Sequence, residues 1–96
     1  MTNSGDALRD RVAQLLRIKF QDVEVEKRLE ATTADVLFVD DTNPIFCRTI
    51  AIEAKDWKAK LTSEDIAKIY NLYAPSLTAR TIDRWADYTR SRILSR

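Results

Sequence analysis

The chain has 96 residues, 45% of them hydrophobic and 32% charged, with a formal net charge of +1. That is enough for one small globular domain burying roughly 60–70% of its unfolded surface, and too apolar for a disordered tail. The near-neutral balance excludes a strong overall nucleic-acid field, so any basic surface must be local.

Residue usage excludes more. There is no histidine, which removes histidine triads and histidine zinc sites together. Cys47 is the only cysteine, so no intramolecular disulfide forms and a reducing compartment fits. It reads as a small buried hydrophobe, because no base accompanies it. A resident metal would have to be hard and oxygen-bound. Gly5 is the only glycine, so Gly-rich phosphate loops are absent. No apolar run reaches the length of a membrane span, and MTNSGDALRD lacks the order of a signal peptide. A cytoplasmic domain without membrane contact is expected.

In chain order, Leu8, Val12, Leu15 and Leu16 recur at helical spacing and predict an amphipathic helix over residues 6–19. Phe20 is expected to pack where it ends. Val23 to Leu29 alternates and predicts a strand with one solvated face. Ala34 to Asp40 predicts a second strand, apolar on both faces at its VLFV centre and opened by Asp35. Asp40 to Pro44 is turn chemistry. Thr49 to Lys55 predicts the third strand, and the short connections favour an antiparallel meander. Thr62 to Asp65 resembles a capping box. The helix that follows carries Ile66, Ile69, Tyr70 and Tyr73 on its core stripe and is expected to stop at Pro75. Ile82, Trp85, Ala86, Thr89 and Ile93 return to helical spacing, predicting a last helix over residues 79–94. Its arginines read as a solvated face balanced by Asp83 and Asp87.

The chemistry concentrates in Arg48 to Trp57, RTIAIEAKDW. Alternation sends Ile50, Ile52 and Ala54 one way and Ala51, Glu53 and Lys55 the other. A charge beside a core is costly unless paired or bound to metal. Taken alone, Glu53 and Lys55 also fit a solvated ion pair. Together with Asp35 on a neighbouring strand they suit metal-assisted phosphodiester hydrolysis. Asp35 and Glu53 offer oxygens to magnesium or manganese, with the backbone carbonyl of Ala54 and waters completing the shell. Lys55 would orient the attacking water and offset charge. Trp57 reads as a packing anchor.

GDALRDRVAQLL, then TTADVLFVD, then IAIEAKDWKAKLTSEDI, in that order, resembles the PD-(D/E)xK nuclease superfamily, in its type IV restriction endonuclease-like branch. The resemblance covers residues 5–80. The motif falls on Asp35, Glu53 and Lys55, with Ala34 where the family has proline. Arg9, beside Asp10, stands where members often carry a helix glutamate. The resemblance implies a restriction endonuclease-like fold, α/β by content and α+β by strand order, and a magnesium-dependent deoxyribonuclease. The expectation is one domain over residues 1–96: a three-stranded antiparallel meander flanked by helices. The C-terminus is helical, and the family's fourth core strand is missing. The other function class is an inactive descendant that binds nucleic acid or protein. An open third-strand edge and the apolar stripe of residues 76–94 further imply a homodimer.

Overall fold

The computed structural model describes residues 4–54, 62–88 and 93–95. It is a small α+β domain. Helix α1 (Ser4–Arg17) leads into three strands, β1 (Val23–Arg28), β2 (Thr33–Asp40) and β3 (Arg48–Ala54). Helix α2 (Ser63–Thr78) follows, then β4 (Arg84–Tyr88) and a short β5 (Ile93–Ser95). The sheet is mixed, in the order β1-β2-β3-β4-β5. β1, β2 and β3 form the expected antiparallel meander, with Val25 opposite Val36 and Val36 opposite Ile52.

Each helix covers one face of the sheet. On the α1 side, Val12 and Ala13 pack with Val36, Phe38 and Ile52, and Leu16 and Phe20 close the edge. Phe20 sits at the helix exit with its ring 4.9 Å from Phe38. On the α2 side, Ile69 and Tyr73 pack with Leu29, Ala51, Ile82 and Trp85. The capping box forms as expected: Thr62 Oγ1 accepts the Asp65 N–H, and Asp65 Oδ2 accepts the Thr62 N–H.

The C-terminal expectation is overturned. Residues 84–88 are a strand, not a helix, and β4 lies parallel to β3 with Ala51 opposite Trp85 and Ile52 opposite Ala86. A parallel partner needs a crossover, and the segment containing α2 supplies it. Ile82, Trp85 and Ala86 fit a helical period, but Trp85, Ala86 and Asp87 are buried in succession. Burial at three successive positions is what a strand covered on both faces requires. The main-chain groups along the edge of β3 are satisfied by this pairing, which a helix would leave unpaired. β4 therefore occupies the third-strand edge on which the homodimer expectation rested.

Helix α2 also runs past Pro75, through Thr78. The proline forfeits one helical hydrogen bond, but the turn beyond it is held from outside: buried Ser76 donates to Glu30 Oε1 at 2.8 Å. The true stop is Arg80, at φ 61. The Thr81 N–H bonds the Ser76 carbonyl and the Arg80 N–H the Leu77 carbonyl. This is a Schellman closure with arginine where glycine is usual. Two further expectations fail. Cys47 is exposed in the turn before β3, and Tyr70, expected in the core, is about half exposed. No helix among the described residues is long and apolar enough to cross a membrane.

Candidate functional site

The site is assembled by register. Val36 pairs with Ile52 and Leu37 with Ala51, so continuing the β2–β3 ladder by one step sets Asp35 opposite Glu53. On the other side of β3, Glu53 pairs directly with Asp87 of β4. Three acids thus form a row across β2, β3 and β4 on the sheet face that α2 covers. Asp35 and Glu53 do share a face, as their strand positions imply.

The row is well buried at its centre. Glu53 is 7% exposed and Asp87 1%. Tyr73, a fully buried residue of α2, donates its hydroxyl to Glu53 Oε2 at 2.5 Å. Burial first, and then the Glu53 carboxylate, push the Tyr73 phenol above its ordinary range; the charges of Asp35 and Asp87 act in the same direction. The phenol therefore stays protonated and serves as a donor. Trp85 stacks on the Tyr73 ring at 5.6 Å and fixes its plane. Asp35 Oδ2 accepts the Ala54 N–H at 2.8 Å, which ties the first acid to the end of β3.

Asp35, Glu53 and the Ala54 main chain are thus gathered at one end of the β2–β3 pair. Lys55 and Trp57 lie outside the described residues. The donor set is oxygen only and suits a hard cation. Magnesium needs only one or two carboxylates, with waters completing its shell. Among the described residues, no three of His, Cys, Asp and Glu converge so as to hold a metal ion. Asp87 is the neighbour of Glu53 on β4.

Sequence reasoning missed Asp87 and Tyr73. Asp87 was hidden by the helical reading of residues 79–94. Its signal is the spacing Trp85-x-Asp87, which on a strand puts both on one face. Tyr73 is core, as its stripe position predicts, but a buried phenol needs a hydrogen-bond partner, and the acid on β3 is that partner. Arg9, on α1, is engaged by acids of its own: it pairs with Asp10 at 3.0 Å and with Glu26 of β1.

No family model, curated protein or solved structure matches the chain.

Proposed function

We propose that the chain is a metal-dependent nuclease-like domain that hydrolyses DNA phosphodiester bonds. The observation that carries this reading is the placement of Asp35 and Glu53 on one sheet face, with Asp35 bonded to Ala54 at the exit of β3. Further support comes from the chain order. A helix, an antiparallel meander and a helical crossover to a parallel fourth strand suit a restriction endonuclease-like core.

Asp35, Glu53 and the Ala54 carbonyl hold magnesium or manganese in this reading. The ion, when bound, supplies Lewis acidity and a water of lowered pKa. Lys55 follows Glu53 by two positions, directs the attacking water and offsets the charge that develops on the phosphate. Tyr73 keeps Glu53 in its place from the α2 side. Cutting both strands of a duplex calls for two such sites, and so for two copies of the chain on the DNA.

A second reading, an inactive module that binds nucleic acid or protein, is favoured by one feature. Glu53 is nearly enclosed and already accepts the Tyr73 hydroxyl. Nicking of supercoiled plasmid with added magnesium or manganese separates the two. Activity should fall on the order of 10²-fold or more in Glu53→Gln and in Lys55→Ala. Wild-type protein that leaves plasmid intact with either metal is the inactive module.

A further inference from the structure

At the opposite end of β3 and β4 from the acids lies an open groove of about 420 Å³. It is lined by Ile45, Phe46, Cys47, Arg48, Asp83 and Arg84. At about 3.3 Å per strand residue, Arg48 stands roughly 17 Å from Glu53, so this is a separate place on the molecule.

Its two sides are joined through the backbone. The Asp83 N–H donates to the Thr49 carbonyl, and Asp83 Oδ2 accepts the Thr49 N–H, both at 2.8 Å. The one acid of the groove is therefore directed at main chain. Arg48 and Arg84 are exposed and close no ion pair among the described residues. Asp40, opposite Arg48 in the β2–β3 ladder, accepts the Thr42 hydroxyl and N–H and closes no salt bridge to either arginine among the described residues. Those hydrogen bonds, ahead of the charges of Lys19 and Arg48, hold Asp40 below the usual carboxylate range. Beside the guanidinium groups, Ile45 is 80% exposed and Phe46 68%.

We propose that this groove binds a segment of single-stranded nucleic acid, with Arg48 and Arg84 on backbone phosphates and Phe46 stacked on a base. Two exposed guanidinium groups call for an anionic partner that offers forked acceptors, as phosphate does. An exposed aromatic ring beside them adds a platform for a flat apolar surface, and nucleobases joined by phosphates present both features. The groove volume lies in the range of about 300–1,000 Å³ usual for ligand clefts. A duplex keeps its bases stacked inside and offers Phe46 nothing. The overall charge of +1 does not oppose this, because the attraction is local.

Cys47, the sole cysteine, lies in the groove and is exposed, so it reports occupancy directly. The full chain is alkylated with a maleimide in EDTA, with and without an oligothymidylate. Binding is followed in parallel by fluorescence anisotropy. The oligonucleotide should slow alkylation. Phe46→Ala should weaken binding roughly 5- to 150-fold, the span expected for one stacked base. Arg48→Ala with Arg84→Ala should also reduce the salt slope by about 1.4. All three residues are exposed, and circular dichroism checks that the variants fold. Unchanged alkylation, equal competition by duplex or by polyglutamate, or wild-type affinity in Phe46→Ala would each overturn the proposal. Because the assay excludes metal and reads the groove alone, it does not depend on the acids at the other end of β3. The absence of nicking would leave this result standing, and the reverse holds too.

Discussion

Helices α1 and α2 cover opposite faces of the same sheet, but among the described residues only the α2 face buries polar groups. Under α1 lie Val12, Ala13, Val36, Phe38 and Ile52, all apolar. Under α2 the aliphatic and aromatic side chains share the interior with Glu53, Ser76 and Asp87. A buried polar group destabilises a fold unless its hydrogen bonds are made. The α1 face therefore does packing alone. The α2 face needs a donor or acceptor at specific points, and that need makes it the face where chemistry is possible.

The largest expected effect tests whether the two faces are independent. Trp85→Ala and Phe38→Ala each remove a buried ring and should each cost about 3–5 kcal/mol in urea denaturation. They should part company at the site. Trp85 supports the Tyr73 ring, so its loss should also weaken manganese binding by the folded protein. Phe38→Ala should leave manganese affinity unchanged. Equal effects on affinity would mean that the α2 face has no privileged hold on the acids.

Tyr73→Phe sharpens the point within the α2 face. It preserves the stacked ring and removes only the donor to Glu53. A stability loss of about 1–3 kcal/mol is expected, because a buried carboxylate is left with one partner fewer. A negligible change in the urea midpoint would show that the bond to Tyr73 is not what secures Glu53.

Glu53→Gln is milder still. The carboxamide can accept the Tyr73 hydroxyl, and it removes a charge from between Asp35 and Asp87. Stability in metal-free buffer should stay within about 1 kcal/mol of wild type, or rise. A loss of more than about 2 kcal/mol would make Glu53 a structural partner rather than a poised ligand.

What the sequence revealed divides along the same lines. Local periodicity was enough for α1, the meander and the start of α2, because alternation, helical spacing and the Thr62 cap are written in adjacent residues. It failed where the deciding contact is distant. Residues 84–88 become a strand because β3 offers an edge, and α2 outlasts Pro75 because Ser76 reaches Glu30 across 46 positions. Tyr73 and Asp87 were missed for that reason: each gains its role from β3, which is remote in sequence. Cys47 and Tyr70 show the converse. Apolar character alone did not bury them.

The smallest effect concerns that distant tie. Glu30, between β1 and β2, accepts from Thr81 Oγ1 and from Ser76 Oγ, and so joins the meander to the end of α2. The Thr81 hydrogen bond first, and then that of Ser76, hold the Glu30 carboxyl below its ordinary value. A carboxyl lowered in the folded state stabilises the protein above its unfolded pKa and loses that contribution as pH falls through the folded value. Glu30→Gln cannot titrate, so it lacks this contribution at every pH. Other lowered carboxyls, Asp40 and Asp65, are common to both proteins and cancel in the comparison. The stability difference between wild type and Glu30→Gln should therefore be largest near about pH 7 and shrink steadily below about pH 4. Urea midpoints across that range measure it. A difference that stays constant with pH would mean that the glutamate acts only as a neutral acceptor, with the join carried by Ser76 and the backbone closure at Arg80.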